Sequence, residues 1–510
     1  MWRGLIPVVF IANLVPATAQ VDSTAMRYAS TITETDLRAH LTILASDAYE
    51  GRETGMKGQK MAATYIEEQF QKFGIPPVRD AKQHGMLADG YQQQYPLILS
   101  KPGGLSLAVD GKEYGYMQDY FYNDERLRKD LEAPDVMLAT PVSLGGMRLG
   151  GGSKVVMLLD VSKSDNDQVT DIQALIGTLD KTGTQVLLLV NDSAKHMMKH
   201  FGPLLDRERM RLAEPSENVT SKGLQVLMIT PELAQAILDK GHYSMKQAVK
   251  TVNKKRVIIQ VPIKFTYRSR DKQLTGENVL GYVEGSDLKG QLVAVTAHYD
   301  HIGVIDGEVY NGADDDGSGT VAVLEMAEAF AKAKAEGHGP RRSMLFMTVS
   351  GEEKGLLGSQ WYTDHPVFPL DSTVADLNTD MIGRTDTVHG DSSSYVYVIG
   401  SKRISRELGA LIERENAAWT KLDLDYTFDS DTDPNRFYYR SDHYNFAKHG
   451  VPIAFFFNGV HADYHGPYDE VDKIRFDLLR RRTLLVFHTA WDLANSDARI
   501  VVDHPVVKGE

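Results

Sequence analysis

From Asn278 onward the chain alternates unbroken apolar runs with stretches of helical period. QLVAVTA (291–297), SMLFMTVS (343–350), SYVYVIG (394–400) and PIAFFFNG (452–459) are apolar almost throughout and of strand length. That is the pattern of strands covered on both faces. Between the first two, GSGTVAVLEMAEAFAKAKAEG (317–337) puts Leu324, Ala327 and Phe330 on one helical face. A second helix is predicted from about Phe476 to Ala494, with Leu479, Val486, Trp491 and Leu493 apolar. Near the start, Ala62, Ile66, Phe70 and Phe73 share a face and Gly74 is placed to stop that helix. Strands alternating with helices predict an α/β domain: a mostly parallel mixed sheet between two helical layers, with ligands beyond the carboxyl ends of the strands.

The texture differs over residues 100–262. KVVMLLDV (154–161), TQVLLLVND (184–192) and LQVLMIT (224–230) read as buried strands, and TDIQALIGTLDKTG (170–183) as a short helix. None of them gathers histidine with carboxylates. At 510 residues the chain exceeds one compact core. The expected organisation is therefore a main domain of residues 20–99 and 263–510, interrupted by a smaller, mainly-β or α+β domain over 100–262.

Composition narrows the function classes. A net charge of −13, with no long basic run, argues against nucleic acid or an anionic membrane as partner. Residues 1–19 have the form of a signal peptide: Arg3, the apolar Leu5–Val15, then Ala17-Thr18-Ala19 as cleavage site. This predicts export to the periplasm or outside the cell, with no membrane-spanning segment once the signal is removed. With no cysteine, neither a disulfide nor a thiolate nucleophile nor a thiolate ligand is available.

The chemistry concentrates in AHYDHIGVIDGEVYNGADDDGSG (297–319) and SGEEKG. His298 closes a strand, and Asp300, two residues on, is suited to accept the second imidazole N–H and fix the tautomer. Asp314, Asp315 and Asp316 stand among glycines just ahead of a helix, where one carboxylate can turn inward. Glu352 and Glu353 are adjacent at a strand end, so they point apart: one can bind metal while the other serves as a base. Asp380 in NTDMIGR and His465 in DYHGPYD complete an inventory of imidazoles and carboxylates suited to two zinc ions.

The motifs AHYDHIG, NGADDDGSG, SGEEKGLLGS, NTDMIGR, YYRSDHYNF and DYHGPYDEVDKI resemble those of the M28 family of zinc metallopeptidases. The likeness covers roughly residues 35–95 and 270–495, and the region between resembles, more weakly, a protease-associated domain. The resemblance implies the three-layer zinc-exopeptidase fold and two Zn²⁺ per chain, with Asp315 bridging. His298 and Asp380 would complete one site, and Glu353 and His465 the other. It further implies Glu352 as general base, Asp300 behind His298, and an oxyanion-stabilising tyrosine, Tyr438 by spacing, with Tyr439 beside it. The implied activity is hydrolysis of peptide substrates, taken as cleavage from the amino end. Asp314, Asp316, Asp429, Asp431 and Asp433 are the acids offered to hold a free ammonium, against Arg384, Arg436 and Arg440 for a carboxylate. The competing readings are a carboxypeptidase, a one-zinc glutaminyl cyclase-like acyltransferase, and a binding module on the same fold.

Overall fold

The computed structural model describes residues 22–78, 90–124, 126–146, 153–159, 176–177, 179–213 and 223–504. The signal-like segment 1–19 and half of the 170–183 helix candidate lie outside them. The chain divides into two compact units, Met1–Tyr95 with Gly276–Glu510, and Pro96–Thr275.

In the first unit the named strands are β1 (Lys272–Val283), β2 (Leu292–His298), β3 (Ser343–Val349), β4 (Thr373–Thr379), β5 (Tyr395–Ile399), β6 (Asp423–Asp425) and β7 (Ile453–Phe457). Their order across the sheet is β6-β5-β7-β4-β2-β3-β1. The pairs β2–β3, β2–β4 and β4–β7 are parallel, while β1–β3 and β5–β7 are antiparallel. Every residue of β2, β3 and β4 is buried.

The two-residue period of a strand explains how both faces are filled. Val293, Val295 and Ala297 of β2 join one apolar cluster, whereas Leu292 and Ala294 join the other. Helices α1 (Glu34–Leu44), α2 (Lys57–Lys72), α3 (Gly319–Ala335) and α4 (Phe476–Asn495) supply the first cluster. Tyr362 and Phe446 close the second. Thr33 caps α1 by accepting the N–H of Asp36. Helix α3 is buried nearly all round, as an apolar helix wedged between sheet and other helices must be.

The second unit is built on a mixed sheet. Leu131–Ala139, Val155–Leu158, Val186–Val190 and Gln225–Ile229 run parallel in that order. Val257–Tyr267 is antiparallel to Leu131–Ala139, and the helices Pro231–Lys240 and Met245–Val252 follow the last parallel strand.

Candidate metal centre

The parallel strands deliver their polar residues to one edge of the sheet. His298 is the last residue of β2, Asp380 follows the end of β4, and Glu352 and Glu353 follow β3 by a short turn. Asp315 lies in the turn Ala313–Ser318 ahead of α3, and His465 in the loop after β7. Gly312, at φ 53°, makes the approach possible: a Cβ there would overlap the Asp315 carbonyl and the His301 ring.

These side chains form two linked groups. His298 Nε2 stands 3.3 Å from Asp315 Oδ1 and 3.5 Å from Asp380 Oδ1. His465 Nε2 stands 3.2 Å from Asp315 Oδ2 and 3.2 Å from Glu353 Oε2. One aspartate thus presents one oxygen to each histidine. His298 Nε2, Asp315 Oδ2 and Glu353 Oε1 are buried without a hydrogen-bond partner. Buried polar atoms are rarely left so, and imidazole nitrogens and carboxylate oxygens are zinc donors. The residues therefore fit a pair of cations.

Glu352 belongs to neither group. Its Oε2 lies 4.0 Å from His298 Nε2, and its side chain is 12% exposed on the cavity. Burial, followed by the neighbouring Glu353 and Asp380 carboxylates, raises its pKa well above the ordinary glutamate range, against the opposing pull of His298. A carboxylate so placed at the cavity is suited to accept and hand on a proton.

The layer behind the donors fixes their aim. His298 Nδ1 donates to the main-chain carbonyl of Asp300 at 3.0 Å, leaving Nε2 as the free donor. The Asp300 carboxylate, expected to do this, is 3.6 Å away and instead accepts the Thr54 hydroxyl. Ser441 Oγ donates to Asp380 Oδ2 at 2.7 Å and itself accepts Asn378 Nδ2 at 2.9 Å. Beneath them the Thr296 hydroxyl bridges Asp376 Oδ1 at 2.8 Å and Asn378 Oδ1 at 2.9 Å. One hydroxyl proton cannot serve both, and Asp376, pushed up to about 8 by burial, retains the second.

Several neighbours are not legible in the motifs. His301 Nδ1 is 2.9 Å from Glu353 Oε1 and 3.8 Å from Asp315 Oδ2, so His301, Asp315 and Glu353 also form a tight potential ligand group. His301 is fully buried, whereas His465 reaches the same two carboxylates from a half-exposed position. Asp316 joins His298 and Asp380 in the other such group, but its Oδ1 is occupied by the N–H groups of Gly319 and Met381. The fully buried Arg52 donates to the carbonyls of Leu44, Tyr299, Asn311 and Gly312. The HYDH repeat was the available signal for His301; a lone arginine in EGRETG offered none.

The tyrosine expectation changes. Tyr438 packs under the Arg403 guanidinium, 4.0 Å from its ring centroid, and is not among the residues lining the cavity with Asp315, Glu352 and Asp380. Tyr464 is, and its ring stacks on His465 at 3.9 Å.

The acids offered for a free ammonium are also engaged elsewhere. Asp314 accepts Gly383 N and faces His461 Nε2 at 3.2 Å, while Asp429 and Asp431 pair with Arg403. Asp433 accepts the N–H groups of Asn435 and Phe437.

Residues 278–490 match the model of peptidase family M28. The chain is 28% identical over 233 residues to aminopeptidase YwaD of Bacillus subtilis, covering 44% of this chain and 46% of that protein. It is 31% identical over 214 residues to a probable leucine aminopeptidase of Arthroderma otae, covering 40% and 54%. The chain thus spans about half the length of these curated relatives. The solved aminopeptidase from Aneurinibacillus sp. strain AM-1 aligns over 95% of this chain and 98% of its own, with 17% identity and a TM-score of 0.49. The matched segment runs from β1 into α4 and spans both histidine–carboxylate groups, so that part of the chain is similar to peptidase family M28.

Proposed function

We propose that the protein is a zinc aminopeptidase with two metals acting together. The observation that carries this reading is the division of Asp315 between two histidines, 3.3 Å from His298 by one oxygen and 3.2 Å from His465 by the other. In this reading Asp315 would be shared between two Zn²⁺, His298 and Asp380 would hold one, and Glu353 and His465 the other. Two Zn²⁺ so held would supply a water acidified from a pKa of ~15.7 towards ~7 and a polarising charge for a carbonyl. Glu352 accepts the proton of the attacking water and passes it to the departing amine. The Tyr464 phenol, raised by burial and then by the facing Asp315 and Glu353, stays protonated and donates to the carbonyl oxygen as negative charge develops. Asp300 holds the His298 tautomer through its main-chain carbonyl.

Cleavage from the amino end is supported by the family match and the relatives' names rather than by a free carboxylate in the cavity. Export rests on the signal-like residues 1–19. Among the described residues no helix is long and apolar enough to cross a membrane. A protease-associated role for the inserted unit rests on resemblance.

The test is a peptide panel with metal analysis. Two zinc ions per chain and cleavage abolished by N-acetylation support the reading, whereas cleavage abolished only by C-terminal amidation makes the enzyme a carboxypeptidase. One zinc per chain favours an acyltransferase, and no turnover with zinc restored leaves a binding module.

A further inference from the structure

Arg384 and Arg403 are both consumed by acids. Arg384 binds Asp463 at 2.9 Å and His461 Nδ1 at 3.0 Å, and Arg403 binds both Asp429 and Asp431 at 2.8 Å. Arg440 differs. It lines the same cavity as Asp315, Glu352 and Asp380, and it is exposed there. Among the described residues its one side-chain hydrogen bond is from Nη2 to Tyr464 Oη at 3.2 Å, and its guanidinium packs 4.9 Å over the Phe437 ring centroid. Among the described residues no carboxylate pairs with it.

The surroundings show what this cation does. Beside the carboxylates of Asp315, Glu352 and Asp380, the cavity lining includes Phe437, Phe455, Phe457 and Val460, which offer a guanidinium no counter-charge. Tyr464 holds one edge of the fork while stacking on His465, so Arg440 is tied through one ring to a metal-site histidine. The remaining donors of a planar guanidinium match the two oxygens of a carboxylate.

We propose that Arg440 is a specificity-determining residue that receives a substrate carboxylate beside the scissile bond. The inference rests on the peptidase reading of this site. The carboxylate belongs either to an acidic first residue or to the free carboxyl end of a very short peptide.

Two isosteric pairs separate these sources: Glu-Gly-amide against Gln-Gly-amide, and Leu-Gly against Leu-Gly-amide. For the zinc-loaded protein, kcat/KM in one pair favours the carboxylate member by about tenfold or more, as a charge-assisted bidentate contact predicts. In Arg440→Met that ratio falls to about one, while Arg440→Lys, which keeps the charge without the fork, retains part of it. Wild-type ratios near one in both pairs, or a ratio that survives Arg440→Met, overturn the proposal. An equal loss on both members of the pair assigns Arg440 a structural role and overturns it too. Calorimetric binding of the same pairs to zinc-loaded Glu352→Gln protein, with and without Arg440→Met, reads the contact independently of turnover. A carboxylate preference in binding without any cleavage in the wild type would therefore sink the peptidase reading and leave the receptor standing.

Discussion

Asp469 accepts the main-chain N–H of Asp315 at 3.0 Å, and the same oxygen accepts that of Asp314 at 2.9 Å. Asp469 lies four residues beyond His465, so the loop that brings one histidine to Asp315 also clamps the backbone beneath it. Asp469→Ala should therefore lower the zinc affinity of both sites by about 10–100-fold, the usual effect of removing a support behind a ligand. Asp469→Asn, which keeps an acceptor oxygen, should lose less. Metal content after graded chelator dialysis measures this, and equal losses in the two variants would count against the clamp.

Glu352→Gln should retain two zinc ions and the native melting temperature while kcat falls by about 10²–10⁴-fold. The substitution removes the proton carrier without touching either histidine–carboxylate group. A metal-loaded variant with near-normal turnover would refute the assignment.

The neighbours Asp315 and Asp314 should fail in different ways. Asp315→Ala removes the carboxylate between His298 and His465, so zinc should be lost from both positions. Asp314 accepts Gly383 N at 2.7 Å and Ser318 Oγ at 3.1 Å, away from those histidines. Asp314→Ala should keep zinc yet lose about 1–3 kcal/mol of stability, the cost of unsatisfied buried donors. Zinc analysis beside thermal melts distinguishes the two, and a reversed pattern would move the bridge to Asp314.

Glu325 on α3 provides a pH test away from the metals. Burial first, then Glu328 and Asp36, raises its pKa from the ordinary 4.5 to about 8. Burial also lowers the pKa of His40, whose Nε2 is 3.6 Å from Glu325 Oε1. Between those values the folded chain holds a proton the unfolded chain has released, so this contribution to stability falls as pH rises from about 4.5 to 8. Glu325→Gln should melt close to wild type at pH 5 and above it at pH 9. A variant with the wild-type pH dependence would show that Glu325 ionises normally.

Much of the sheet was legible because β2, β3, β5 and β7 are each a nearly continuous apolar run, a signal contained in one short window, whereas β4, TVADLNT, carries buried polar residues and gave no such signal. His298 and the Glu352–Glu353 pair could be read at strand ends for the same reason. What escaped depends on partners distant in sequence. Asp469 and Tyr464 look like ordinary members of an acidic, aromatic loop until that loop closes over Asp315 and His465. The acids of the 429–433 stretch looked free because nothing local announces that Arg403 and the main chain engage them.

Arg52 ties the beginning of the chain to its centre in time as well as in space. Its bonds to Tyr299 and Gly312 bridge 247 and 260 residues of sequence, and the whole second unit is synthesised between the two ends. At about 5–20 residues per second the guanidinium waits on the order of tens of seconds for the carbonyls it will hold. Closure over that separation comes late and slowly. Until then a cation fated for complete burial remains in water, with the turn of Asp315 unpinned. A fragment beginning at residue 278 would lack the side chain that pins the turn ahead of Asp315.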